Sequence, residues 1–564
     1  MSSTSAKHHD SHANEPRKRI VIIGAGVGGV AVAARLSKAG HQVDVVEKNA
    51  SCGGRCSLIT TNGFRFDVGP SLYLMPEIFK ETFADLDADV NAEVDLIKCE
   101  PNYRIYFLDE DDDSCSSSMT ISTNLTQLKS EIERLEPRTG WPGFLAFIKE
   151  GQTHYQLSEE MVLRKNFENW YDFFTGANLI YALRIHVFFT MWSRVCKYFR
   201  SDELKRAFTF QAMYMGQSPF EAPATYNLLQ YTELAEGVWY PKGGFNTVIE
   251  RMEGIAKKNG ATFHYNAPAK RIIIDEQGRL ATGIELEDGR TIKGDIVICN
   301  ADLVWAYNNL LLPSDKSYGQ QLARKEFTSS TFSFYWGMKT VVEGLESHNI
   351  FLAKDYKASF DKIFKEYDLP THPSFYIHVP SRHDSTAAPA GKDCITVLVP
   401  VGHIKSTKRQ DWKALQQKAR TAVIEILERK LGISDFASLI EVENVNTPET
   451  WRDTYNLYHG SALGLSHNIF QVGWFRPSTR HAEYGNIFFV GASTHPGTGV
   501  PVVLYSARLV ARQVAVCIKY GLKQSQGVKL TELISAIFII GLVVLAAMYL
   551  PKSWILMEEV ESVL

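Results

Sequence analysis

Gly24-Ala25-Gly26-Val27-Gly28-Gly29 carries the GxGxxG spacing, and Glu47 follows it at the distance where a dinucleotide site places an acid. The first glycine of such a run permits a tight turn, the second lets backbone N–H groups approach a pyrophosphate, and the third lets a helix pack closely. Elements at the right places surround the motif. Arg19–Ile23 is a β-branched strand, Val30–Lys38 an Ala-rich helix, and Val43–Val46 a second strand that ends at Glu47. The helix N-terminus then faces an anion, and the Glu47 carboxylate is suited to accept from ribose hydroxyls.

More glycine-rich segments follow. Lys48 leads to Cys52-Gly53-Gly54-Arg55 and then to Gly63-Phe64-Arg65-Phe66-Asp67-Val68-Gly69-Pro70. Trp239-Tyr240-Pro241-Lys242-Gly243-Gly244 precedes a helix beginning near Asn246. Near the end stands Asn486-Ile487-Phe488-Phe489-Val490-Gly491-Ala492-Ser493-Thr494-His495-Pro496-Gly497-Thr498-Gly499-Val500, with Ser506 beyond it. Together these resemble the FAD signature of the amine oxidase and phytoene desaturase superfamily, and the last is similar to the signature of bacterial and fungal type phytoene desaturases.

The resemblance implies FAD as cofactor, with Arg55 by the flavin and its phosphates, since a guanidinium presents several donors to phosphate oxygens. It implies that Lys242, Gly243 and Gly244 reach the cofactor. Gly491, Pro496, Gly497, Gly499 and Val500 would hold it through backbone, because Ala492 stands where many such flavoproteins carry Asp. His495 would lie beside the flavin as proton acceptor or tuner, or else hold loop backbone at a helix start. The implied substrates are phytoene and partly desaturated carotenes, taken stepwise toward lycopene, with reduced flavin reoxidised by a quinone or oxygen. Two relatives of other activity stay open: a carotene cis-trans isomerase, distinguished by unchanged product mass, and a prenyl-protein escort, distinguished by lack of flavin. An amine oxidase would need an amine cage or a flavin-linked cysteine, and Cys517 lies in no attachment motif.

Composition narrows the field. The 564 residues hold 60 Lys+Arg against 63 Asp+Glu, a net charge of -3, so no chain-wide basic surface awaits nucleic acid. The eight cysteines form no CxxC pair and are too sparse for a disulfide framework, which suits a reducing compartment. No metal is expected: His8, His9 and His12 lie in a polar leader, and Asp109–Asp113 is a contiguous like-charge block rather than a spaced ligand set. A hydrolase elbow would need Gly where His495 stands.

Strands are also expected at Arg271–Ile274, Thr282–Glu287, Thr291–Cys299 and Ile487–Val490, with a hairpin at Asp288-Gly289 and a helix over Tyr505–Tyr520. The fold class is therefore α/β. A Rossmann-like FAD domain is assembled from 17–90, 225–310 and 480–525, behind a leader over 1–16. An inserted α+β substrate and membrane-associating domain comprises 91–224 and 311–479. From Phe167 to Arg200, eleven of the 34 residues are aromatic and interleaved with cations, as suits an apolar tunnel or an interfacial helix pair. Leu533–Leu550 is uncharged and, at about 1.5 Å per residue, long enough as a helix to cross a bilayer core. Lys519, Lys523 and Lys529 before it and Glu558, Glu559 and Glu561 after it keep the catalytic part cytosolic. Membrane lipid is thus an expected partner, and the chain is compatible with a homo-oligomer.

Overall fold

The computed structural model describes residues 17–108 and 118–521; the leader, Asp109–Asp113 and Leu533–Leu550 lie outside them. Its organising element is a five-stranded, all-parallel sheet in the order Ile487–Phe489, Ile296–Cys299, Arg19–Ile23, Gln42–Val46, Thr262–His264. Both faces are covered, which is why these strands read as near-continuous apolar runs rather than as alternation. On one face Ile20, Ile22, Val43, Val45 and Ile298 pack against the helices Val27–Lys38, Asn246–Lys258 and Val500–Tyr520. On the other, Val21, Ile23, Val297 and Phe489 meet a three-stranded antiparallel sheet and the helix Leu303–Asn309.

The expected strand Thr291–Cys299 is two strands. Thr291–Lys293 closes the antiparallel sheet and Ile296–Cys299 enters the parallel one. The chain changes sheets at Gly294, where a Cβ would sit 2.7 Å from Val21 Cγ2. Asp295 then anchors the crossing by pairing with Arg19 at 2.8 Å. The last helix starts at Val500, earlier than expected, with Pro501 in its first turn. It is long and apolar enough to cross a membrane, yet half of it is buried, and Leu504, Ala507 and Val510 lie in the core against the helix Val27–Lys38. Within the described residues it is a core helix.

A seven-stranded mixed sheet stands across from the parallel one, in the order Ile440–Asn446, Ser330–Met338, Cys394–Val401, Phe375–His378, His348–Ala353, Tyr103–Leu108, Ser118–Ile121. Its strands come from two stretches far apart in sequence, joined where Tyr103–Leu108 pairs in parallel with His348–Ala353. Alternation sorts its faces. Phe332, Phe334 and Trp336 pack under the helix Trp412–Leu431, while Thr331 and Ser333 face the space between the two sheets.

Two glycines separate packing from propensity. A Cβ at Gly29 would sit 2.0 Å from the Gly24 carbonyl oxygen, whereas Gly254, exposed in the helix Asn246–Lys258, has open space around it. Gly29→Ala is expected to destabilise by about 1–3 kcal/mol and Gly254→Ala to stabilise by about 0.4–1 kcal/mol. Denaturant titration of the two variants checks both signs.

Candidate active site

A cavity of about 660 Å³ lies over the carboxyl ends of the parallel strands, between the two sheets. This is where open α/β sheets bind ligands, because loops there leave the sheet toward one side. Gly24 takes φ +96°, and its N–H donates to the Val46 carbonyl at 2.7 Å, folding the fingerprint turn over the sheet edge. The helix that follows is capped by Gly26 with no side-chain acceptor and no acid in its first turn. The helix Val500–Tyr520 begins in the same way at Gly499. Two sets of unpartnered helix N–H donors therefore open on one cavity, an arrangement that favours an anion.

The Gly53-Gly54-Arg55 loop is stitched to this turn. Gly53 N–H donates to the Ala25 carbonyl at 2.8 Å, and Gly53 and Gly54 both take positive φ. A Cβ on Gly53 would lie 2.1 Å from Asn246 Oδ1, and one on Gly69 would lie 2.6 Å from the Arg55 carbonyl. Arg55 donates to the Ala462 carbonyl at 2.7 Å, and no carboxylate among the described residues is hydrogen-bonded to it. Burial pulls its pKa down while Asp302 opposes the shift, so its other donors remain for an anion in the cavity it lines.

Glu47 is buried at the rim. Its Oε2 accepts from Ala25 N–H at 2.8 Å, and its Oε1 accepts from the backbone and side chain of Asn49, both at 2.9 Å. A carboxylate has about four acceptor sites, so room for one more donor remains. Lys48 lines the cavity too, but its ammonium donates to the Asp453 carbonyl and Asn456 Oδ1, at 2.8 and 3.0 Å. Gly24, Gly26, Gly28, Pro70, Gly491, Ala492, Pro496, Gly497 and Val500 line the same space.

Five expected residues do not, the first being Gly29, which packs on the Gly24 carbonyl instead. Lys242, Gly243 and Gly244 lie outside the cavity wall: Gly243 N–H donates to Asp384 Oδ2 at 2.8 Å and Gly244 packs on Leu58. Pairing of Val238–Pro241 with Leu96–Cys99 carries this turn behind the hairpin of Leu58–Thr61 and Phe64–Asp67. His495 is likewise turned away. Its Nε2–H donates to the Lys165 carbonyl at 2.8 Å, its ring meets Phe167 edge-on, and its Nδ1 is buried without a partner. Burial pushes its pKa down to about 4, so it is a neutral brace between two loops and not a cavity base.

Several residues had no motif to mark them. Asn300, at the carboxyl end of Ile296–Cys299, fills the space that a Cβ on Gly26 or Gly28 would take, at 2.8 and 2.5 Å. The question asked of Glu47, what stands at a strand end, finds it. Arg476 is buried with no carboxylate among the described residues bonded to it. It donates to the carbonyls of Leu465, Ser466, Gln471, Ala492 and Thr494, tying the loop after Leu465 to the glycine-rich signature. Burial lowers its pKa to about 10, so it stays charged. His467 lines the cavity and accepts from Thr498 N–H at 3.2 Å. Glu150, His154 and His186 bring ligand-type atoms within 4.8 Å of one another, but Arg194 donates to Glu150 through two nitrogens and sets a positive charge where a cation would sit.

These residues fit a flavin dinucleotide: glycines free of Cβ atoms, two uncapped helix starts, a spare guanidinium and a rim carboxylate with an acceptor site left over converge on one cavity. The chain belongs to the flavin containing amine oxidoreductase family, whose model matches residues 27–515, and FAD is its cofactor. Its relatives narrow the branch. It is 50% identical over 513 residues to a phytoene desaturase of Phycomyces blakesleeanus, covering 90% of this chain and 86% of that one. It is 47% identical over 517 residues to the Fusarium fujikuroi phytoene desaturase, covering 88% and 89%. A zeta-carotene-forming phytoene desaturase of Myxococcus xanthus is 42% identical over 501 residues, covering 88% and 94%. Among solved structures, an oxidoreductase from Methanosarcina mazei shares the fold at TM-score 0.58 and 17% identity, covering 88% of this chain and 100% of that one. A putrescine oxidase variant also reaches TM-score 0.58, at 13% identity, covering 90% and 99%.

Arg55→Met should weaken FAD binding by about 10- to 100-fold, the worth of one or two charge-assisted hydrogen bonds, measured by flavin retention on dialysis. Arg476→Met should cost on the order of 3–5 kcal/mol by orphaning buried carbonyls, and Arg476→Lys should not rescue it, because an ammonium cannot reach five acceptors. Thermal unfolding of both variants decides this.

Proposed function

We propose that this chain is an FAD-dependent desaturase that converts phytoene stepwise toward lycopene in carotenoid biosynthesis. The observation that carries the reading is identity of 42–50% along about nine-tenths of the chain to proteins named as phytoene desaturases. The cavity suits such a substrate. Beyond the cofactor cradle its wall is mainly Leu, Ile, Val, Met and aromatic side chains, among them Leu157, Met161, Ile185, Met213, Leu228 and Ile350. A polyene without a polar handle is held by buried area, at about 25 cal/mol per Å². Bound FAD supplies the hydride acceptor. The protein positions the chain, excludes water and accepts the accompanying proton.

The aromatic segment serves two surfaces. The helix Gly176–Arg184 and the loop after it turn Tyr181, Ala182, Ile185 and Val187 to the cavity, while Ile180, Leu183, Phe188 and Phe189 are exposed. Apolar side chains outside and an apolar cavity inside support a mouth at the bilayer surface, where a membrane-dissolved carotene enters without crossing water. In this reading the cofactor part is 17–90, 225–310 and 480–525, the substrate part is 91–224 and 311–479, and Leu533–Leu550 anchors an enzyme facing the cytosol. A quinone or oxygen reoxidises the flavin.

Expression in a host that makes only phytoene should yield coloured polyenes of lower mass than phytoene; unchanged mass would point to isomerisation and overturn the reading. Replacing Ile180, Leu183, Phe188 and Phe189 together by Ser should weaken sedimentation with lipid vesicles about 10-fold or more without changing flavin content.

A further inference from the structure

With His495 turned away, the described residues hold another group that can take a proton. Glu233, in the helix Leu228–Ala235, is 1% exposed, and no Lys or Arg among the described residues is hydrogen-bonded to it. Its Oε1 accepts from the hydroxyls of Tyr103, at 3.1 Å, and Tyr214, and its Oε2 accepts from Gln211 Nε2 at 3.0 Å. Both tyrosines line the cavity, and Tyr214 keeps surface exposed there whereas Tyr103 has none. The cluster sits where the cofactor cradle meets the seven-stranded sheet. Tyr376, beside the two phenols, shares a 2.7 Å hydrogen bond with Ser71, directly after Gly69-Pro70, and Gly69 packs on Arg55.

We propose that Tyr214, backed by Glu233, accepts the proton that the substrate loses on desaturation. The inference rests on the desaturase reading above. FAD, held by the glycine-rich cradle and Arg55, would supply the two-electron acceptor for the hydride that one carbon gives up. The C–H bond of the neighbouring carbon breaks, its electron pair becomes the new C=C bond, and its proton forms a bond to the Tyr214 oxygen. The phenolic proton that Tyr214 held crosses to Glu233 Oε1, so the step leaves a neutral tyrosine and a carboxylic acid. When the product departs, the proton returns along the same hydroxyl to the open cavity.

The electrostatics agree with the geometry. Burial and the Glu233 charge raise the pKa of Tyr103 and of Tyr214 well above the usual phenol value, so both stay protonated and neither is a base by itself. Burial raises Glu233 to about 7 against the pull of its three donors. Because the ionised carboxylate is the acceptor, the step must speed up as pH rises through about 7 and then level off.

The test is anaerobic flavin reduction by phytoene in vesicles, followed in the purified holoenzyme from acid to alkaline pH. Wild type should show the rise near neutrality. Glu233→Gln and Tyr214→Phe should slow the step by about 10²- to 10⁴-fold and flatten the pH profile, with flavin content and phytoene affinity unchanged. Infrared spectroscopy, with Glu236→Gln present throughout to remove the other carboxyl that burial raises to about 7, should show a protonated-carboxyl band growing as pH falls through neutrality, absent once Glu233→Gln is added; this readout needs no turnover. Retention of the wild-type profile in either variant, or absence of that band while Glu233 is intact in the Glu236→Gln protein, overturns the inference. A wild-type protein that makes no desaturated carotene instead overturns the desaturase reading. If Glu233→Gln fails to fold, Tyr214→Phe and the infrared titration of Glu236→Gln, with Glu233 intact, still decide.

Discussion

The molecule depends on how closely separate stretches of backbone approach one another at the carboxyl ends of its parallel strands. Around Gly26 the fingerprint turn, the Gly53-Gly54 loop, Asn300 and the Gly491 corner come within contact, and at Gly26, Gly28, Gly29 and Gly53 a single Cβ would collide. Bare backbone is what a pyrophosphate needs, because its oxygens are met by N–H groups and helix starts rather than by side chains. That constraint explains why the parallel sheet is gathered from the beginning, middle and end of the chain: each stretch includes a strand whose end brings a glycine or small polar residue to the same place.

The second sheet follows from the first. With the cofactor edge committed to backbone, the opposite wall is free to be apolar, and alternation along Ser330–Met338 turns Thr331 and Ser333 to the cavity while Phe332, Phe334 and Trp336 go into a core of their own. Polar groups that do occur near the cavity are held tightly. Arg476 meets five carbonyls, and Glu233 meets three donors. A buried charge survives only when satisfied in this way, and each such group fixes a loop that apolar packing alone would leave adjustable.

Legibility in the sequence followed the range of the interactions. Arg19–Ile23, the fingerprint turn and Glu47 were readable because strand, turn and helix signals sit within thirty residues and report local geometry. The break at Gly294 was not, since it depends on Val21 in another strand. Lys242–Gly244 and His495 belong to motifs, yet a motif fixes neighbours along the chain and not the direction in which a side chain finally points. Asn300, Arg476 and the Tyr103–Tyr214–Glu233 group belong to no motif, because their partners lie in remote segments.

The residues themselves therefore determined the α/β class and the dinucleotide cradle, which are written in glycine spacing and β-branched runs that act over short distances, while the flavin and the branch of the family followed from the resemblance of longer motifs to a known family. Only the tertiary structure decided which charged groups face the cavity and which are braces, where the two sheets meet, and that the helix Val500–Tyr520 is core. The physical reason is that burial and hydrogen-bond partnership, which set whether a carboxylate or imidazole can exchange a proton, are properties of the surroundings and not of the residue.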